Sequence, residues 1–481
     1  MSMSDLGGSF GPPAPVEAPP QRDRARDLHE HVARTLKLAF PIILARMGMP
    51  LIFLVDTVMV ARAGTIELAY FGLAVAPQFL ILMTSVGFMQ GVMILVSHAN
   101  GAKHFAACGM TWHIGLLHAL VLGSVFSTLS LFTQDFLLLV GQSPDLVAGA
   151  DRAVWAFSWG VTGQLFFMCT TYFLEATGRP GIGVIAILVG NILNVVLNFV
   201  LIYGWGDLVS PMGAAGAAHA TSVVRWCMFL IVLSYLIYDS RRNKDRFHVR
   251  IGLGEFVSLI RGFGGPVGVR LRRLGTPIAL AMGLEAAAMA TMILLAGYLG
   301  AVALAAHQIA INSIMLAFMV AIGTGGATAV RVGNAVGRFD PEGMRRAGWT
   351  GVCLGGLLMA PAALIFALAP DVMAHIYTSD PAAVLVGGNT LRVAGYALVI
   401  DSLMAVLLNA LRGAGDVIIP MVVHILAFWV FVIPAGWYFA FVRGLGAPGL
   451  MWGLFVGVSI AAVALALHFH MLTRHGAGIA R

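Results

Sequence analysis

Three carboxylic acids, Asp56, Glu285 and Asp401, stand inside stretches of sequence that are otherwise almost wholly apolar. On insertion scales each costs about 2.5–3.5 kcal/mol at the middle of a bilayer, so the three together carry on the order of 8–10 kcal/mol before any partner is counted. Acids kept there face a cavity or a partner, and the chemistry they suit is cation traffic. A proton, a sodium ion and an organic cation all compete for one carboxylate. Asn194 and Asn198 lie one helical turn apart, so both amides leave the helix in the same direction. Their oxygens can join a carboxylate in coordinating a hard cation, and Thr221 offers a hydroxyl in the next apolar run. The bland alternatives are structural. Asp56 would pair with Arg46 or Arg225, the amides would bridge helices, and the other acids would stay permanently protonated and hydrogen-bonded.

The elements that must hold these groups follow from composition. Of 481 residues, 59% are hydrophobic and 11% charged, against roughly 25% charged in an ordinary soluble domain. Apolar runs of about 20 residues, enough to cross a bilayer, recur along the chain. Window reading places helices at 37–61, 74–98, 112–134, 153–176, 182–204 and 213–237. A second set falls at 275–297, 303–330, 348–369, 388–411, 419–441 and 446–470. The expected fold is an all-α integral membrane protein of twelve transmembrane helices. Pro50 cannot donate to the carbonyl of Arg46, so a kink is expected in the first helix just before Asp56.

The formal charge of +7 suggests nucleic acid until its placement is read. With the N-terminus in the cytoplasm, one side collects Arg22, Arg24, Arg26, Arg34, Lys37, Lys103, Arg179, Arg338, Arg345, Arg346, Arg412 and Arg474. The basic stretch from Arg241 to Arg273 joins them. The other side holds Arg62, Arg152 and Arg443 among several aspartates. That asymmetry sets orientation: an inner, plasma-type membrane with both termini cytoplasmic, and no nucleic-acid partner. Residues 1–34 read as a disordered tail without an apolar leader, 239–273 as a basic linker, and 472–481 as a second tail. The four scattered cysteines give no disulfide framework.

The remaining segments, 35–238 and 274–471, read as two six-helix units, because the chain overlays itself at a shift of 236. Pro41, Ile42, Leu44 and Ala45 fall on Pro277, Ile278, Leu280 and Ala281. Gly64, Gly87, Val96 and Gly101 fall on Gly300, Gly323, Val332 and Gly337. Six helices per unit make the repeats parallel, related by a pseudo-two-fold axis along the membrane normal. The acids break this symmetry: Asp56 falls on Met292 and, at a shift of 237, Asp401 falls on Gln164.

Several segments resemble one known family. Phe53-Leu-Val-Asp-Thr-Val-Met59, Gly190-Asn-Ile-Leu-Asn-Val-Val-Leu-Asn198 and Ala305-Ala-His-Gln-Ile-Ala-Ile-Asn312 are similar to motifs of multidrug and toxic compound extrusion (MATE) transporters, NorM branch. Arg331-Val-Gly333 and Leu411-Arg-Gly-Ala-Gly-Asp416 add to the set, which covers roughly residues 35–470 in order. The resemblance implies two lobes around a V-shaped cavity and export of cationic or amphipathic compounds by antiport with Na⁺ or H⁺. It puts Asn194 and Asn198 in a first-lobe site with Asp56, and Glu285 and Asp401 in a second-lobe cation site. Na⁺ would sit at one of these sets, with no other cofactor. A monomer in the lipid bilayer is expected.

Other features rank lower. Glu175 reads as a solvated ion pair with Arg179, His307 and Gln308 as packing, and His468 and His470 as helix-end residues without metal. A lipid-linked sugar flippase of related architecture is the alternative function, disfavoured because the buried charges are mainly acidic. No His-Glu-x-x-His and no nucleophile–base set supports an enzyme.

Overall fold

The computed structural model describes residues 24–139, 141–250 and 262–474. Its first half runs α1 (Arg24–Ala63), α2 (Thr65–Gly101), α3 (Phe105–Ser130), the short α4 (Thr133–Leu139), α5 (Pro144–Ala176), α6 (Gly181–Tyr203) and α7 (Gly213–Arg242). Its second half runs α8 (Pro266–Tyr298), α9 (Ala301–Gly337), α10 (Pro341–Leu368), the short α11 (Pro370–Tyr377), α12 (Pro381–Gly413), α13 (Ile418–Val442) and α14 (Ala447–Arg474). Among the described residues eleven helices are long and apolar enough to cross a membrane. The remaining long one, α5, is diluted by Ser, Thr, Gly and Gln and buries most of its length inside the first half.

The helices outrun the apolar windows at both ends. Arg24–Glu30, expected in a disordered tail, is helical, and Pro266–Arg273, expected in the linker, forms the first turns of α8. The bilayer limits only the apolar stretch, while Arg and Lys are good helix formers that carry the hydrogen-bond ladder beyond it. Residues 1–23 of the tail, 251–261 of the linker and 475–481 of the second tail lie outside the described residues. The short α4 and α11, between the third and fourth long helices of each half, fell below any hydropathy window. Proline opens α5, α8, α10, α11 and α12, where its missing N–H is of no consequence. The helix α1 stays helical through Pro41 and Pro50.

The duplication is written into the packing between the halves. A Cβ on Gly87 of α2 would meet the Ala279 backbone of α8 at 3.0 Å, and one on Gly323 of α9 would meet the Ile43 backbone of α1 at 2.7 Å. Both members of the second contact lie 236 residues from their counterparts in the first. Likewise Gly101 packs on the backbone of Asn334, and Gly337 on that of His98. Gly333 lies against Ser97, its own repeat equivalent, at 2.7 Å for an added Cβ. The pseudo-two-fold axis therefore passes between α2 and α9 at Ser97 and Gly333. Hydrogen bonds cross at the same end: Asn100 Nδ2 donates to Asn334 Oδ1 at 3.1 Å, His98 Nε2 lies 2.8 Å from the Gly413 carbonyl, and Arg331 meets Thr35. We call this the joined end. At the opposite end Gly64 and Gly300, also 236 apart, start α2 and α9 with φ of +151° and +100°, a region that glycine tolerates and other residues seldom do.

Within the second half, Gly449, Gly453 and Gly457 of α14 lie at the spacing of one helical turn and meet the backbone of α13. Small residues so spaced are how helices approach closely in lipid. The helix α13 is wound as π-helix over Ala427–Val432 and Tyr438–Val442, a form that often marks functional segments.

Candidate functional site: two groups of buried acids

Asp56 lies seven residues before the end of α1, Asn198 five before the end of α6, and Thr221 eight after the start of α7. At 1.5 Å per residue these are depths of about 10, 8 and 12 Å from one face of the bundle, so antiparallel packing brings them together. Asp56 is 2% exposed and both asparagines are fully buried. Asn194 and Asn198 each donate from Nδ2 to Asp56 Oδ1, at 2.9 and 2.7 Å, and Thr221 Oγ1 donates to Oδ2 at 2.5 Å. Asn198 Nδ2 also reaches Asn194 Oδ1 at 3.2 Å. All four residues expected here therefore meet, and neutral dipoles supply every hydrogen bond to the acid. Among the described residues Asp56 forms no ion pair with Arg46 or Arg225. Arg225, one turn past Thr221, lies over the Phe157 ring at 5.7 Å.

The set fits a cation. Asn198 Oδ1 is a buried acceptor without a donor. Amide nitrogen and oxygen exchange places by a half turn, which would present two amide oxygens, a hydroxyl and a carboxylate to one ion.

The second group is looser. Glu285 of α8 accepts from His424 of α13, whose Nε2 lies 3.1 Å from Oε2. The Glu285 side chain is 30% exposed and that of His424 is 3% exposed. Asp401 of α12 is buried, and Glu285 is the charged neighbour whose field it feels. Among the described residues no hydrogen bond or ion pair joins the two. Arg412, three turns along α12 from Asp401, also acts on Glu285 and donates across the halves to Gln90 Oε1 at 3.2 Å.

Sequence reasoning misplaced one acid and overlooked one base. Glu175 is 1% exposed and takes a bidentate pair from Arg46 at 3.0 and 3.1 Å. Arg179, its expected partner, pairs with Asp239 instead. Helix α5 ends at Ala176 as expected, but its packing turns Glu175 toward Arg46 of α1 rather than toward water. His424 was overlooked, although a lone ionisable residue in the run from Ile418 to Leu426 was itself a signal. His307 is buried as expected, yet both ring nitrogens lack a partner. His468 meets Asp416 at 2.6 Å.

Comparison with known proteins agrees with the fold. A family profile described as MatE matches residues 41–200 and 277–438, one match in each half. The chain is 30% identical over 456 residues to a probable multidrug resistance protein NorM of Caulobacter vibrioides, covering 94% of each. It is 31% identical over 453 residues to the multidrug resistance protein NorM of Burkholderia vietnamiensis, covering 93% of this chain and 95% of the other. Among solved structures, the eukaryotic MATE transporter AtDTX14 matches with a TM-score of 0.81 at 22% identity, over 93% of this chain and 98% of that one. An outward-facing MATE family transporter of the MOP superfamily matches with a TM-score of 0.83 at 21% identity, over 93% and 97%.

Proposed function

The chain belongs to the MATE family of multidrug transporters, and from that premise we propose that it exports cationic or amphipathic organic compounds in exchange for Na⁺ or H⁺. It is a transporter, not an enzyme. The joined end is cytoplasmic on this reading, because Lys103, Arg338 and the basic turn after α7 lie there, as the positive-inside rule requires. Both termini are then cytoplasmic, and the two halves rock about the contact of α2 with α9. A single chain carries both groups of acids, so a monomer suffices.

The observation that carries the proposal is the environment of Asp56. A fixed cation would hold the acid permanently, whereas Asn194, Asn198 and Thr221 are neutral and yield to an arriving ion. When the coupling ion binds, the amides turn their oxygens to it and the carboxylate is neutralised. In the second half the charge of Glu285 acts on the buried Asp401. A cationic compound or coupling ion that binds there offsets that charge, and its departure restores it. The membrane supplies enough driving force, since one charge moved through 100 mV is worth about 2.3 kcal/mol.

The test is uptake of a fluorescent organic cation into inverted vesicles, energised separately by a sodium and a proton gradient. One gradient is expected to drive uptake, and Asp401→Asn to abolish it while leaving the protein folded. Wild-type rates in that variant at equal expression would overturn the assignment.

A further inference from the structure

A cavity of about 460 Å³ opens at the joined end, on the seam between the halves. Its size falls within the range of about 300–1,000 Å³ typical of ligand sites. The first half contributes the end of α2, the start of α3 and the turn after α7, and the second half contributes the end of α9. Among the described residues three cations line it, Lys103, Arg246 and Arg338, and no acid does.

All three cations are exposed at the surface, and the fold sets where each side chain starts. Lys103 takes a left-handed backbone with φ of +61° immediately after α2. The guanidinium of Arg246 lies 3.7 Å from the centroid of the Phe105 ring. A guanidinium stacked by its face keeps its edge free to donate. Arg338 caps the end of α9, and its charge adds to that of Arg34 in the field at Arg331. Asn100 and Asn334 floor the cavity and join the halves.

Orientation by the positive-inside rule explains why basic residues lie on this side of the membrane. It does not explain their convergence, from both halves, on one concavity without a counter-charge. Like charges gathered at such a site repel until an anion arrives, and paired donors on Arg suit phosphate oxygens. We propose that this cavity binds a phosphate-bearing anion, either the headgroup of an anionic phospholipid of the inner leaflet or free phosphate. The bound anion bridges Lys103 and Arg246 of one half to Arg338 of the other. It thereby clamps the joined end and favours the arrangement of the halves described above.

The test uses the full-length protein in detergent, where no charged membrane surface contributes. Its binding of a soluble short-chain phosphatidylglycerol is measured by calorimetry, with short-chain phosphatidylcholine and inorganic phosphate as parallel probes. Each Lys or Arg at an anionic headgroup is worth about 1 kcal/mol, or about fivefold in affinity. Lys103→Gln, Arg246→Gln and Arg338→Gln together are therefore expected to weaken binding on the order of a hundredfold. An equal loss of charge outside the cavity, Arg241→Gln with Arg242→Gln and Lys244→Gln, is expected to leave it unchanged. Binding of phosphatidylglycerol but not phosphate identifies a lipid site, and saturation by phosphate alone identifies the free anion. The proposal is overturned if wild type binds neither, if phosphatidylcholine binds equally, or if both triple variants lose binding alike.

Discussion

The two halves share a fold but treat buried charge in opposite ways. In the first half Asp56 is sealed under three donors, and Glu175, the other buried acid there among the described residues, is matched by Arg46. In the second half Glu285 is part-exposed and held by one histidine, while Asp401 is buried without a hydrogen bond to it. A satisfied acid is rigid and contributes to stability, whereas an under-satisfied one in a low dielectric answers strongly to any charge that approaches. Under the proposed function, the first half would hold one small ion in a defined shell and the second would accept a larger and more variable cation.

Four measurements break or sharpen that contrast. Removing Arg46 strands the Glu175 charge, and breaking a buried pair in this way costs about 3–5 kcal/mol. Arg46→Met should therefore lower the thermal midpoint sharply, and adding Glu175→Leu should restore most of the loss. If the double variant stays as unstable as the single, the pair is not the cause.

Next comes Asp56→Ala set against Asp401→Ala. Three hydrogen bonds to a charged acceptor at about 2 kcal/mol each, less the roughly 3 kcal/mol relieved by taking the acid out of the membrane, leave a loss of about 3 kcal/mol for the first. Among the described residues the second has no such bonds to lose, only the same relief to gain, and should unfold at or above the wild-type temperature, while both lose coupled transport. Equal melting behaviour would erase the distinction between the halves.

His424→Phe removes the donor that occupies Glu285 and should lower the half-saturating concentration of the organic cation on the order of tenfold, the worth of one hydrogen bond to a charged group. The same readout should not move for His307→Phe, since His307 touches neither acid. An unchanged half-saturation in His424→Phe would remove the histidine from the site.

The smallest effect is expected outside the membrane. Burial would raise the Asp245 carboxyl, but bonds from Ser240 Oγ and from the backbone N–H groups of Val249 and Arg250, with the Arg250 guanidinium nearby, hold it below its usual range. Its contribution is present above the unfolded value of about 3.9 and is lost as pH falls through the lower folded value. Hydrogen exchange in residues 243–250 should rise only in strong acid for the wild type. Asp245→Asn should show the raised exchange at neutral pH, and identical profiles would exclude the effect.

Much of this was legible without coordinates. Hydropathy located each long helix because a bilayer demands a minimum apolar length, and the shift of 236 exposed the duplication because glycines at close contacts cannot drift. Spacing put Asn194 and Asn198 on one helix face, and the family resemblance, not depth, joined them to Asp56, with Thr221 as an added hydroxyl. The partners of Arg46, Glu175 and His424 were not. Which face of α5 turns to α1, and which of α13 to α8, depends on packing that periodicity does not encode when both faces are apolar.

The amino-acid sequence by itself therefore determined the membrane-spanning elements, their pairing into repeats and the presence of acids that needed a reason to be there. Tertiary structure alone decided which acid is sealed, which is exposed and which finds an arginine. The physical reason is range. Transfer into lipid acts on each segment independently and is read residue by residue, but a hydrogen bond or ion pair between helices exists only once their relative rotation and depth are set.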